Sequence, residues 1–302
     1  VPLATISSFN YRDYSLEALA AAKGERTISV CIPARNEEST IGKIVATIVA
    51  ELVENWALVD EVILIDDHSS DATAAVAANA GATVVSAEDI LPEQNLGPGK
   101  GQAMWKSLLV SSGDLITWCD GDIREFEIRF VVGILGPLLT ESNLQFVKAY
   151  YERPYLDEAS GGGRVTEIMA RPLISLLFPH LTGLYQPLSG EYGGYRSLLE
   201  QLPFVADYGV ELGLLIDVAN LVGTDAIGQV DLGERQHRNR PLDDLGPQAA
   251  TILHTALVRV NSSLVSEQVE FVRPAQDSLT LDHLELPPMA SLAPYQQRHS
   301  PT

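Results

Sequence analysis

Asp120 and Asp122 stand one residue apart, directly after the apolar run 115–119. Alternate residues of an extended strand point the same way, so both carboxylates can aim at one spot just past the strand's end. Two oxygen ligands on one side leave the rest of a hard cation's shell to water, a third ligand and a diphosphate. A solvated turn or a helix cap also accommodates an isolated Asp-x-Asp. The neighbouring strings decide between these readings.

Four further strings carry chemistry. The first pairs Pro33-Ala-Arg-Asn-Glu37 with Ile65-Asp-Asp-His-Ser-Ser-Asp71. An acid in a strand-end loop can bond a base or ribose, and the next helix N-terminus favours anions. Glu37 and Asp67 are the nucleoside-contact candidates, whereas Ser70 and Asp71 read as helix caps. In Gly97-Pro-Gly-Lys-Gly101, the glycines allow close backbone approach and Lys100 can neutralise a phosphate. It is not a Walker motif, because no Ser or Thr follows Lys100; a plain turn is the alternative. Gly161-Gly-Gly-Arg-Val-Thr-Glu167 offers backbone N–H groups, a guanidinium and a hydroxyl to one phosphate or carboxylate. A flexible hinge would explain its glycines but not Arg164 and Thr166. In Gly233-Glu-Arg-Gln-His-Arg-Asn239, His237 follows a strand and could fold back toward Asp120 and Asp122. Asp, His and phosphate oxygens together suit magnesium or manganese.

Composition narrows the partners. The chain has 302 residues, 46% hydrophobic and 20% charged, enough for one large α/β domain or a domain with a subdomain. A net charge of -20 argues against nucleic acid, whose phosphates would be repelled. Arg235, Arg238 and Arg240 nevertheless cluster around His237, which suggests a small anionic ligand or an ion-pair network. No apolar stretch reaches the roughly 20 residues that a membrane span needs. No signal peptide is read, and the missing initiator Met points to trimming or omission. Cys31 and Cys119 read as small core hydrophobes in a reducing cytosol.

The elements that must position these residues alternate. A lead-in over 1–26 includes a helix at 15–23 capped by Ser15. Buried strands are predicted at 27–33, 61–66, 83–86 and 115–119, with helices at 36–53 and 72–80 and a third running from the end of the 97–101 string to about 111. That alternation implies a parallel sheet with right-handed crossovers, whose ligands bind outside the strands' carboxyl ends. Residues 33–37, 66–70 and 120–122 should therefore meet at one rim. Farther on, strands are predicted at 145–151 and 225–232. Helices follow 161–163 to about 178 and cover 208–221 and 245–260, and 287–302 reads as a loose tail.

Taken with Ser189-Gly-Glu-Tyr192 and Tyr208-Gly-Val-Glu-Leu-Gly213, these strings closely resemble one family. The chain resembles the glucosyl-3-phosphoglycerate synthases, retaining GT-A glycosyltransferases with mannosyl-transferring relatives, over about 27–245. The strings GPGKG, GGGRVTE, QPLSGEY, YGVELGLLID and HRNRPLDDLG carry the match. The resemblance implies a Rossmann-like, mostly parallel sheet flanked by helices. A nucleotide-sugar subdomain would span 27–150, an acceptor subdomain 151–262 and a C-terminal extension 263–302. It puts the metal, Mg2+ or Mn2+, on Asp122 and His237. The donor would meet Pro33, Ala34, Arg35, Glu37, Asp67, Gly99, Lys100, Asp120, Gly121 and Leu188. The acceptor, 3-phosphoglycerate, would meet Gly163, Arg164, Thr166, Asn239 and Tyr208. Glu211, Asp122, Lys100 and Arg235 would carry catalysis.

Two departures stand out: Asp67-His68 where the family pattern has Ser-Gly, and Asp120-Gly-Asp122 where it has Asp-Ser-Asp. The first falls in the nucleoside pocket and bears on donor choice, for which UDP-glucose is the expectation and GDP-mannose the alternative. The implied reaction moves the hexose to the 2-hydroxyl of 3-phospho-D-glycerate with retention. Retention through a covalent intermediate needs a carboxylate nucleophile, for which Glu211 is the one obvious candidate. A front-face route, with the leaving diphosphate helping to deprotonate the acceptor, is the preferred expectation. A nucleotidyltransferase releasing pyrophosphate, or a non-catalytic nucleotide-sugar binder, are the competing classes. A cytoplasmic homodimer completes the implied picture.

Overall fold

The computed structural model describes residues 6–152, 163–235, 242–274 and 277–299. Strand β1 (Ser7–Asn10) and helix α1 (Leu16–Lys23) lead into β2 (Ile28–Ala34), α2 (Ile41–Ile48), β3 (Glu61–Asp66), α3 (Thr73–Asn79) and β4 (Thr83–Ser86). Then come α4 (Lys100–Val110), β5 (Leu115–Trp118), α5 (Arg129–Thr140), β6 (Phe146–Glu152) and α6 (Arg171–Leu177). The second half adds β7 (Tyr192–Tyr195), α7 (Arg196–Leu199), β8 (Phe204–Val205), α8 (Val210–Val222), β9 (Ile227–Glu234) and α9 (Leu242–Val260). A hairpin of β10 (Gln268–Phe271) and β11 (Leu279–Asp282), then β12 (Glu285–Leu286) and α10 (Ala293–His299), close the chain.

Eight strands form one sheet in the order β1-β9-β6-β7-β5-β2-β3-β4. All its pairings are parallel except those of β7, which runs antiparallel to β5 and β6. The fold is therefore α/β with a mostly parallel sheet, as the alternation implied. Strands buried on both faces read as continuous apolar runs. In β2, Ile28, Val30 and Ile32 enter one core with Ile44 and Phe130, while Cys31 enters the other with Trp105 and Leu212. In β3 the same alternation sends Val62 and Leu64 one way, and Ile63 and Ile65 the other.

Three expectations change. The lead-in also holds a strand: β1 pairs with β9 and forms an edge of the sheet. The helix expected over 36–53 begins only at Ile41 and widens to a π-helical turn over Val49–Asn55. The tail is not loose over its described part. Trp105 Nε1 donates to Pro287 O at 2.7 Å, Met289 is fully buried, and the Tyr295 hydroxyl donates to Glu200 Oε2 at 2.6 Å. Ser15 caps α1 as expected, accepting from Ala18 N at 3.2 Å. Asp71 accepts from Thr73 N at the start of α3. Ser70 instead bonds Asn36 through its N–H and hydroxyl. Among the described residues no helix is long and apolar enough to cross a membrane.

Candidate active site

Parallel strands β2, β3 and β5 deliver their carboxyl ends to one rim. A cleft of about 510 Å³ opens there, lined by Pro33, Ala34, Arg35, Glu37, Asp67, Pro98, Gly99, Lys100, Asp120, Gly121, Asp122, Asp207 and Tyr208. The structure thus brings together every donor residue read from the sequence except Leu188. That side chain is half-buried against the core, two residues before Gly190. Tyr208, expected with the acceptor residues, lines this cleft, whereas Gly163, Arg164 and Thr166 lie outside its lining. His237 and Asn239 fall outside the described residues.

Asp120 and Asp122 are tied into a dense ion-pair network. Arg235, only 4% exposed, reaches Asp120 Oδ2 at 3.0 Å and Asp122 Oδ1 at 2.8 Å through one nitrogen, Nη2. Its Nη1 donates to the Tyr151 hydroxyl at 2.7 Å and lies 3.1 Å from Glu191 Oε1. Lys100, the first residue of α4, bonds Asp120 Oδ1 at 2.7 Å and Glu211 Oε1 at 2.9 Å. Burial alone would raise the Asp120 carboxyl. Lys100 and Arg235 outweigh it and hold the group well below the usual carboxylate range. Burial likewise opposes the charge on Lys100, yet Asp120 and Glu211 push its ammonium well above the ordinary lysine value. Both cations stay charged. Glu191 is the exception: with no exposure, its carboxyl is pushed up by burial, and Arg235 offsets only part of that.

Local backbone chemistry sets these positions. Gly99 and Gly101 let α4 start against the chain at Val205 and Ala206; Gln102 N donates to Ala206 O at 2.8 Å. A Cβ on Gly190 would collide with the Asp120 carboxylate, so this glycine makes the seat for that side chain. Asp67, 6% exposed, accepts from Gly99 N at 2.9 Å and lies 3.0 Å from His68 Nδ1. Gly163 has φ +79°, a left-handed conformation that favours glycine, and its carbonyl accepts from Glu167 N in the turn carrying Arg164 and Thr166.

Sequence reasoning missed Pro98 and Asp207 in the lining, and Glu191, Tyr151, Tyr192 and Lys148 beneath it. Glu191 and Tyr192 lay inside a string already singled out. Lys148 carried its own signal, a lysine in a strand otherwise reading as buried.

A divalent cation is consistent with this donor set. The Asp122 side chain is 45% exposed, and carboxylate with phosphate oxygens is what Mg2+ and Mn2+ take. Among the described residues no three His, Cys, Asp or Glu side chains converge as a metal cage.

Residues 29–124 match the model of glycosyl transferase family 2. The chain is 46% identical over 263 residues to glucosyl-3-phosphoglycerate synthase of Mycolicibacterium smegmatis, covering 86% of each. To the Petrotoga mobilis enzyme of that name it is 40% identical over 294 residues, covering 92% of this chain and 90% of the relative. A crystal structure of the Mycobacterium tuberculosis glucosyl-3-phosphoglycerate synthase, in complex with Mn2+, UDP-glucose and phosphoglyceric acid, superposes with a TM-score of 0.85 at 43% identity. It covers 94% of this chain and 98% of that one. A complex of that enzyme with Mg2+ and UDP gives a TM-score of 0.82 at 42% identity, with the same coverage. With its eight-stranded sheet and its carboxylate–cation cleft, the chain belongs to the glucosyl-3-phosphoglycerate synthase family of glycosyltransferases.

Proposed function

We propose that this chain transfers glucose from UDP-glucose to the 2-hydroxyl of 3-phospho-D-glycerate, with retention at the anomeric carbon and assistance from Mg2+ or Mn2+. The observation that carries the reading is the pairing of Lys100 and Arg235 with Asp120 and Asp122 at the rim where the strands end. A diphosphate entering there meets two largely buried permanent cations, whose field is screened less than it would be in open water. The relatives reported above are glucosyl enzymes, and the GDP-mannose alternative draws no support from them.

In this reading Pro33, Ala34, Arg35, Glu37 and Asp67 hold the nucleoside. Gly99, Lys100, Asp120 and Gly121 hold the diphosphate and sugar, with Leu188 packing behind them. A divalent cation held by Asp122 and His237 would supply Lewis-acid stabilisation to the departing diphosphate. Lys100 and Arg235 add permanent positive charge to that oxygen cluster. Gly163, Arg164, Thr166 and Asn239 grip the acceptor's phosphate and carboxylate, and Tyr208 closes the cleft beside them. Orientation of the 2-hydroxyl against the anomeric carbon is their contribution. The Glu211 carboxylate is bound by Lys100, which supports a role in orienting sugar hydroxyls rather than as a nucleophile. The front-face route follows, with a leaving-diphosphate oxygen taking the acceptor proton.

The division into a donor half over 27–150, an acceptor half over 151–262 and an extension over 263–302 belongs to the same proposal. So does a homodimer, for which exposed Ile168 and Leu176 supply apolar surface. A cytoplasmic setting is in keeping with two buried free cysteines. The test is product analysis. Incubation with UDP-glucose and 3-phosphoglycerate should yield UDP and an α-glucosyl product by NMR, and GDP-mannose should give little. A β-linked product, or none, would overturn the reading.

A further inference from the structure

Lys148 lies beneath the cleft, 1% exposed, in the middle of β6. Its Nζ donates to Ser189 O at 2.7 Å and sits 4.0 Å from the centre of the Tyr192 ring. Neither partner is charged. Buried lysines are ordinarily paired with a carboxylate, because an isolated ammonium loses its hydration without recompense. Around it stand Glu211 on α8, Lys100 on α4, Glu191 before β7 and Asp120 after β5, all acting on it through space. Burial dominates and pulls the Lys148 ammonium down to about 7, against the opposing pull of Glu211. Near neutral pH this group is therefore poised between its two forms.

The ion pairs above it explain what would tip that balance. Lys100 is shared between Asp120 and Glu211, and Arg235 among Asp120, Asp122 and Glu191. Those two cations are the groups available to an incoming diphosphate. Once they turn to it, the carboxylates around Lys148 lose part of their compensation. The diphosphate adds further negative charge nearby. Both changes favour an ammonium over a neutral amine at Lys148.

Resting on the glucosyl-transfer reading above, we propose that Lys148 is a buried counter-charge that takes up a proton when the donor diphosphate enters the cleft. Donor binding and protonation of Lys148 are then linked, and donor affinity falls as pH rises. Lys148 touches no reacting atom in this scheme. It positions charge from below, and its bond to Ser189 O steadies the loop that seats Asp120 on Gly190.

The experiment is titration calorimetry of the full chain with UDP-glucose, without acceptor, in buffers of different ionisation enthalpy. Magnesium is held at equal concentration in cell and syringe. UDP-glucose is the probe because its doubly esterified diphosphate has no proton to exchange near neutrality. Proton uptake by wild type should be about half a proton or more per site at a pH about one unit above neutrality, and should vanish about one unit below it. Lys148→Met should bind with no uptake at either pH, and Lys148→Gln provides the same readout if the Met variant folds poorly. Uptake that persists in a folded variant, or heats that do not depend on buffer in wild type, would overturn the proposal. No binding of UDP-glucose at all would overturn both it and the functional reading, so the two failures are distinguishable.

Discussion

Arg235 Nη2 lies 2.8 Å from Asp122 Oδ1, and the same nitrogen lies 3.0 Å from Asp120 Oδ2. One buried guanidinium thus holds both aspartates of the strand-end pair while its other arm holds Glu191. Arg235→Ala would leave Glu191 in the interior without a cation, which costs about 3–5 kcal/mol. Thermal unfolding should show a large loss of stability. Arg235→Lys keeps the charge but cannot span three carboxylates. It should retain the fold while turnover falls about 100-fold, read by steady-state kinetics.

Gly190 carries no catalytic group, yet it should tolerate no side chain. Its Cβ would occupy the space of the Asp120 carboxylate. Gly190→Ala should displace that carboxylate and lower kcat/KM about 100-fold, with a lowered unfolding midpoint but a folded protein at assay temperature. Kinetics beside circular dichroism separates this from simple misfolding.

The turn proposed to hold the acceptor is set apart from the cleft lining, so damage there should be selective. Arg164→Ala is expected to raise the KM for 3-phosphoglycerate by about 10-fold or more, the value of a lost charge-assisted contact, while the KM for UDP-glucose barely moves. Equal shifts in both would mean that the turn serves the donor.

Lys148 also makes a pH prediction for stability. Its folded value of about 7 lies below the ordinary 10.5, so between these limits the unfolded chain binds more protons than the folded one. Stability therefore rises with pH across that window. The cost of the buried charge is complete below it and absent above it. Urea denaturation from pH about 7 to about 9.5 should show this slope in wild type and a flatter one in Lys148→Met. Parallel slopes would contradict it.

The C-terminal segment should contribute to stability as well. Truncation after residue 286 removes the buried Met289 and Tyr295, each worth about 2–3 kcal/mol of apolar burial. Tyr295→Phe removes only the hydroxyl bonded to Glu200, about 1 kcal/mol. Calorimetric midpoints of the two variants should fall in that order.

How much of this could be read in advance follows from periodicity. Strands β2, β3 and β5 are buried on both faces, so their apolar runs were plain, and the rim they create followed from topology. The lining of the strand-end cleft was therefore legible nearly residue by residue. β7 was not, because Gly193 and Gly194 sit where a strand signal needs branched or aromatic side chains. β1 was too short to stand out, and its partner β9 is more than two hundred residues away. The tail misled because Pro, Ser and Gln mask the few residues that dock, Met289 and Tyr295. Glu191 and Lys148 left a trace in the sequence, one inside a singled-out string and one as a lysine in an apolar strand, but their importance comes from what they face, and facing is a property of the fold.

The most direct measurement compares wild type with Asp122→Ala for glucose transfer from UDP-glucose to 3-phosphoglycerate, with magnesium and then with EDTA. Wild type should turn over and stop in EDTA. Asp122→Ala should lose about 1000-fold or more in turnover while keeping its fold by circular dichroism. Transfer near the wild-type rate in Asp122→Ala, or transfer that EDTA does not affect, would contradict metal-assisted transfer at this cleft.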